Sequence, residues 1–284
     1  MVKNIDKLKI NTAILFSDIH AGDSLGLCPD EGVSLDNGGV YDPSPGQKRV
    51  LGFWKEFWYE WVPLVTKGEP FCVVNLGDSI DGVHHGSTTQ ITQNITTQKQ
   101  IAYDLLYPIV QLCNGNYYHI RGTEAHVGKS AQEEEGLAKS LGAIPNEYGQ
   151  HSRDEMWMRL NTALIHFSHH IGGTGSSAYE STAVYKELVE AFVEAGRWGD
   201  EPPDVVARAH RHRQCETRIA TKKGYGTSLV LPGWQLKTPF TFRLAAGRAG
   251  VPQFGGYMLR SGDEEEIYSR FRVWRTSRPE EVKI

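Results

Sequence analysis

Three short runs of apolar and β-branched residues, 10–16, 71–76 and 117–120, are separated by two stretches of helical periodicity, 45–65 and 93–112. Runs of this length read as buried strands, and strands alternating with helices build the βαβ units of a layered α/β fold. Ser44-Pro45 supplies an N-cap and a first-turn proline for the first helix, with a break expected near Pro63. Trp54, Phe57, Trp58 and Trp61 recur at three- and four-residue spacing. A core-facing stripe needs that spacing, so these aromatics are assigned to packing rather than to base stacking.

Past residue 150 the texture changes. Residues 156–168 read as a hairpin turning at Asn161-Thr162, 178–195 as a helix and 205–209 as another buried strand. After Gln214 the chain is mostly hairpins, with turn signals at Lys223-Gly224 and Ser261-Gly262-Asp263. Residues 21–47 collect Gly, Pro, Asp and Asn and are expected to form a long loop at the rim of a site. No composition break, low-complexity tract or repeat marks a linker, so one domain over 1–284 is expected, with 214–284 completing a second sheet.

An apolar fraction of 39% with 23% charged residues can bury a sizeable core. Thirty basic against 34 acidic residues give a formal charge of −4, so a polyanion would have to be held locally rather than by the field of the whole protein. Residues 1–9 lack the apolar run of a secretory signal and no later run reaches membrane-spanning length, so a cytoplasmic protein with no membrane partner is expected. Cys28, Cys72, Cys113 and Cys215 are far apart without a Cys-x-x-Cys pair, which points to buried thiols rather than a zinc ribbon or disulfide framework.

The chemistry sits at the expected strand ends. Asp18-Ile19-His20 offers two ligand types at i and i+2, which on an extended strand point the same way. Gly77-Asp78 offers a carboxylate able to bridge two cations, His169-His170 an imidazole just past an apolar run, and His210-Arg211-His212 a second i, i+2 pair. Each alone is as well explained by a hydrogen-bonded structural pair; their recurrence in order at successive strand ends favours a metal site. Nitrogen and oxygen donors without thiolate suit manganese foremost, or iron, zinc, cobalt or nickel, better than calcium or magnesium. Two such ions would bind the oxygens of a phosphoryl group and acidify a bridging water for in-line attack on phosphorus.

The order Asp-x-His, Gly-Asp-x-x-Asp, a Gly-Asn-His-like element, a lone His and a His-x-His pair resembles the calcineurin-like metallophosphoesterases from Asp18 to His212. The resemblance implies a four-layer αββα sandwich, two mixed sheets flanked by helices, and a dinuclear phosphoesterase. Carried over, Asp18, His20, Asp78 and His212 would hold one ion. Asp78 as bridge, a residue of the third motif, His169 and His210 would hold the other, His169 being preferred to His170 because in relatives the ligand directly follows the strand. Asp81, closing Gly77-Asp78-Ser79-Ile80-Asp81, would orient the general acid.

Two positions depart from the pattern. Gly122-Thr123-Glu124-Ala125-His126 lacks the Asn ligand, so Thr123 or Glu124 would supply the oxygen, and His126 would protonate the leaving group from further along. Ala209 replaces the glycine before His-x-His. His84, His85 and His170 are expected to face substrate, and Arg121 to clamp phosphate. Arg211 is the weaker candidate, since a residue between two ligands on a strand points away from them. His119, His151 and His166 are left as structural. The chain is also similar to bacteriophage-encoded members carrying a Gly-Thr-x-Ala-His variant, which favours a phosphodiesterase or nuclease acting on nucleotide or nucleic-acid phosphoesters. A phosphomonoesterase and a catalytically weak metal-containing binding protein are the alternatives. Oligomeric state is not legible.

Overall fold

The structure is a computed structural model that describes residues 9–84, 86–173, 177–243, 250–263, 266–277 and 282. His85 and the N-terminal residues 1–8, in which no secretion signal is expected, lie outside the described residues.

The expected sandwich forms in four layers. In chain order, β1 (Thr12–Phe16), the short β2 (Val33–Ser34) and β3 (Val40–Tyr41), α1 (Pro45–Glu56), α2 (Val62–Thr66), β4 (Cys72–Asn75), α3 (Ile95–Leu112), β5 (Tyr117–Ile120), α4 (Glu124–Val127), α5 (Gln132–Ser140) and β6 (Ser152–Arg153) make the first half. Next come β7 (Glu155–Leu160), β8 (Ala163–Ser168), α6 (Glu180–Trp198), β9 (Val205–Arg208), β10 (Cys215–Thr221), β11 (Gly224–Val230), α7 (Pro239–Arg243), β12 (Gln253–Ser261) and β13 (Ile267–Arg275). One mixed sheet has the order β13-β12-β1-β4-β5-β6, the other β10-β11-β9-β8-β7.

The period of two along each strand divides its side chains between two cores. On β1, Ile14 and Phe16 pack among the α1 and α3 side chains, while Ala13 and Leu15 face the second sheet. On β4, Val73 goes to the helices and Val74 to the opposite sheet. Strands buried on both faces read as continuous apolar runs, which is why these segments show no alternation in sequence. The second sheet sends Met156, Ile165, Phe167, Val205 and Leu229 into the same inter-sheet layer, and α6 packs over β9, β10 and β11 on its far side.

Three expectations change. The first helix does not break at Pro63. A π turn at Phe57–Trp61 joins α1 to α2, and that wider turn accommodates the proline, which has no N–H to donate, in the first turn of α2. The C-terminal region completes both sheets rather than the second alone: β10 and β11 extend the second, whereas β12 and β13 join the first, with Leu15 opposite Tyr257 in the antiparallel β1–β12 ladder. Residues 21–47 reach the rim of the cavity through Asp23 but are packed in place rather than an open loop. Leu27, Cys28 and Val33 are buried in the helix-side core, and the buried Gln47 donates from its amide to the carbonyls of Asp23 and Gly26. The four expected packing aromatics are all buried, Trp54 meeting Trp58 and Phe57 meeting Trp61.

Candidate metal centre

Loops leaving the ends of β1, β4, β5, β8 and β9 converge on one place. The chain continues pairing a short way past the strands: Asp18 N–H donates to the Gly77 carbonyl and His20 N–H to that of Asp78. Pleating, however, is not what aims the ligands. Asp18 (φ 56°), His20 (φ 44°), Asp78 (φ 52°), His210 (φ 73°) and His212 (φ 51°) are all in the left-handed region. They are five of the nine non-glycine residues with positive φ in the described chain, so backbone strain is concentrated here. The expectation that i and i+2 residues point together on an extended strand is therefore corrected. Asp18/His20 and His210/His212 lie in tight loops, whose left-handed turns bring Asp18 and His20 into one donor group and send His210 and His212 into different ones.

Three donor groups result among the described residues, two of them built on Asp18 and Asp78 and a third, His20, Asp81 and His126, that shares His20 with the one on Asp18. Asp18, His20 and His212 form the first, with Asp18 Oδ1 3.1 Å from His212 Nε2 and His20 Nε2 3.2 Å from His212 Nε2. Asp78, His169 and His210 form the second, with Asp78 Oδ2 3.0 Å from His169 Nε2. The groups adjoin, since Asp18 Oδ1 is 4.0 Å from His169 Nε2.

Around them, hydrogen bonds select which ring nitrogen faces inward. His169 donates from Nδ1 to the Leu76 carbonyl at 2.5 Å, leaving Nε2 for the centre. His20 Nδ1 faces Asp81 Oδ1 at 3.3 Å, again leaving Nε2. Such outer partners fix tautomer and ring orientation. Asp81 is itself held by Gln90 Nε2 at 3.1 Å.

Of the two residues expected to supply an oxygen, Thr123 reaches the centre. Its N–H donates to Asp78 Oδ1 (2.6 Å) and its hydroxyl to Asp78 Oδ2 (3.1 Å), and Oγ1 lies 3.2 Å from His169 Nε2 and 3.1 Å from His210 Nδ1. Glu124 is exposed in the first turn of α4 and belongs to none of these donor groups, so the structure brings Thr123 and not Glu124 to the centre. His126 returns to the site from that short helix: Nδ1 donates to the Asp81 carbonyl at 2.6 Å, and the ring stands 4.7 Å from that of His20 and 4.4 Å from that of His84. His84 Nε2 is 3.4 Å from Asp81 Oδ2.

The donor residues other than Asp18 and His169, with Asp81, His84, Thr123 and His126, line a cavity of about 810 Å³, together with residues 86–89, 171–173, 235–241 and 250–252. Arg121 does not line it. Its guanidinium is committed to Ser152 (2.9 Å) and Asp154 (3.1 Å), and with Glu124 and the exposed His170 it borders a separate recess of about 370 Å³. Arg211 lines the large cavity instead, because the residue before it and the residue after it are in left-handed turns rather than on a strand. His119 bonds Tyr117, His151 donates to the Ala143 carbonyl and His166 pairs with Glu155, all in structural roles.

Several positioning residues carry no motif. The fully buried Glu134 of α5 accepts the Ser79 N–H at 2.9 Å and the Gly122 N–H at 2.6 Å, tying the loop after β4 to the loop after β5. His119 stands 3.4 Å from the same carboxylate. A Cβ on Gly122 would lie 2.1 Å from Asp78 Oδ1, and one on Gly233 2.8 Å from the His212 ring. Only the local pattern of a glycine facing an acidic loop could have flagged Gly122; nothing in sequence marks Glu134.

Electrostatics follow from burying carboxylates beside imidazoles. Burial alone would raise the Asp18 and Asp78 carboxyls, yet His212 and His169 outweigh it at Asp18, and His169, His126 and His20 at Asp78, holding both well below the usual carboxylate range. Burial opposes charge on His20, but Asp81, Asp78 and Asp18 raise it to about 9. His169 rises against its own burial to about 10, beside Asp78 and Asp18. His210 falls to about 4 through burial and the neighbouring His169. The cluster tests as a cation site: Asp18 Oδ1 is buried without a hydrogen bond although His212 is near, and buried carboxylates confront ring nitrogens across gaps that protons alone must neutralise. A cation would replace those protons.

No protein-family profile matches the chain, and no curated protein matches it. Among solved structures, Vps29 of Chaetomium thermophilum matches with a TM-score of 0.37 and 13% identity over 95% of this chain and 99% of that one. A metallophosphoesterase from Sphaerobacter thermophilus matches at 0.38 and 11% over 94% and 88%. A hypothetical protein from Thermus thermophilus matches at 0.42 and 13% over 94% and 100%. No helix among the described residues is long and apolar enough to cross a membrane.

Proposed function

We propose that this chain is a metal-dependent phosphoesterase that holds two divalent ions and hydrolyses phosphodiesters of the nucleotide or nucleic-acid class. The observation that carries the reading is the pair of adjoining donor groups, Asp18/His20/His212 and Asp78/His169/His210, four of whose six members are buried and which open onto one cavity through His20, Asp78, His210 and His212. Asp18, His20 and His212 would take one ion and His169, His210 and Thr123 the other, with Asp78 shared. Two ions so held neutralise the charge of a phosphoryl group and lower the pKa of water, which is the chemistry that in-line hydrolysis needs. Nitrogen and oxygen donors favour manganese, iron, zinc, cobalt or nickel.

The chain's own residues supply positioning and proton handling. Asp81 orients the His20 ring, and Thr123 ties Asp78 to the loop after β5. His126, with Nδ1 committed to the Asp81 carbonyl, has Nε2 left to hold or deliver a proton in the cavity, the role expected of an acid for the leaving oxygen. His126→Asn should then slow esters with poor leaving groups far more than p-nitrophenyl esters. Rates on p-nitrophenyl phosphate and bis-p-nitrophenyl phosphate with Mn²⁺ test the whole reading. Diester preference abolished by Asp78→Asn supports it, monoester preference turns it into a phosphatase, and no turnover with ions bound leaves a binding protein, the second reading favoured by Thr123 in place of Asn.

A further inference from the structure

Hydrolysis at the cavity floor leaves one wall unexplained. Arg211 lines the cavity between His210 and His212, and both terminal nitrogens of its guanidinium are buried without a hydrogen-bond partner among the described residues. The nearby carboxylates are already engaged: Glu180 Oε2 accepts from Arg213 Nε at 2.9 Å, and Glu187 Oε2 accepts from Arg208 Nε at 2.8 Å. These nitrogens lie just beneath the cavity surface; withdrawing guanidinium donors from water without a partner is costly, and a turn of the side chain toward an anion in the cavity would relieve that cost. The planar fork matches two oxygens of a phosphate. Because both flanking residues are candidate ligands, a phosphate on Arg211 would sit beside the one at the ions rather than coincide with it.

Facing the same cavity, α7 presents Phe240 with 61% of its surface exposed. An aromatic ring left in water in the wall of a ligand-sized cavity is a surface for stacking. The adjoining Lys237 Nζ lies 4.1 Å from the centroid of the Phe242 ring, which adds positive charge to this side. A volume of about 810 Å³ lies within the roughly 300–1,000 Å³ of small-molecule sites. With a net charge of −4 there is no broad field to hold a duplex, so recognition rests on local contacts.

We propose that Arg211 binds the phosphate next to the scissile one and Phe240 stacks on a base, so that the substrate is a short single-stranded nucleotide chain bearing at least two phosphates. The inference rests on the phosphoesterase reading, and its test separates the two. Binding of the thymidine dinucleotides pTpT and TpT is measured in EDTA, where no ion contributes, and hydrolysis of bis-p-nitrophenyl phosphate is measured separately with Mn²⁺. Wild-type protein is expected to bind pTpT on the order of tenfold more tightly than TpT, the strength of a charge-assisted pair. Arg211→Gln should erase that preference and Arg211→Lys restore part of it, while Phe240→Ala weakens both ligands and Phe240→Trp does not. Unfolding midpoints matching wild type confirm that each variant is folded. Equal wild-type affinity for the two dinucleotides, or a preference that survives in a folded Arg211→Gln, overturns the proposal. An Arg211-dependent preference without diester hydrolysis upholds the phosphate site and refutes the phosphoesterase reading instead.

Discussion

Replacing Glu134 by Gln is a change of one atom that should damage both the fold and the metal centre. Each Glu134 oxygen accepts one buried backbone N–H, from Ser79 at 2.9 Å and Gly122 at 2.6 Å. Gln has a single acceptor oxygen, so one N–H loses its bond and faces the new amide NH₂, donor against donor. A buried donor left unsatisfied costs about 1–3 kcal/mol. Loss of the bond to a carboxylate and the donor contact bring the expected loss to about 2–4 kcal/mol, a large part of the roughly 5–15 kcal/mol that stabilises a domain. Ser79 follows Asp78 and Gly122 precedes Thr123, so the same change loosens both sides of the second donor group. Metal affinity should fall by about 10- to 100-fold, the usual cost of removing outer-shell support. Urea unfolding in EDTA measures the first effect without added metal stabilisation, and calorimetric titration with Mn²⁺ the second. A folded Glu134→Gln that loses less than about 0.5 kcal/mol and binds Mn²⁺ within twofold of wild type would refute the reasoning.

Gly122→Ala places a methyl group 2.1 Å from Asp78 Oδ1 and 2.3 Å from the Asp78 backbone nitrogen, so the loop carrying the carboxylate must move; loss of Mn²⁺ binding by calorimetry is the expected result. Thr123→Val keeps the shape but removes the hydroxyl that bonds Asp78, and titration should show the weaker of two binding steps reduced by roughly tenfold. If two ions bind the folded chain and not the unfolded one, Mn²⁺ at a hundred times its Kd should add about 2.7 kcal/mol per site, read as a higher melting temperature that EDTA reverses. Burial pushes the thiols of Cys28, Cys72 and Cys113 up to about 12, so at pH 8 they are protonated and slow. A thiol reagent at that pH should react with those three only after denaturation, and rapid labelling of two or more in the folded chain would contradict the packing.

What could be read in the sequence was set by local periodicity. Continuous apolar runs marked strands buried on both faces, and helical spacing of Trp54, Phe57, Trp58 and Trp61 marked the core face of a helix. Asp18, His20, Asp78, His169, His210 and His212 were visible as ligand types because each follows an apolar run. Arg121 and Arg211 exchanged roles because the argument for them assumed extended backbone, whereas His210 and His212 are in left-handed turns that depend on distant partners. Gly233, which must lack a Cβ for the His212 ring to fit, is one such partner, and Trp234, whose N–H donates to the Asp18 carbonyl, braces the same region.

Periodicity thus determined a layered α/β class, the order of the strands along the chain and the residue types at their ends, since these depend on neighbours within a few positions, while the four-layer sandwich was implied by the resemblance of the motifs. Only the tertiary structure decided which hairpin joins which sheet, that Thr123 rather than Glu124 meets Asp78, and that Glu134 ties two ligand loops together. Those outcomes depend on side chains tens to hundreds of residues apart competing for the same buried hydrogen bonds and the same space, and no window along the chain contains both competitors.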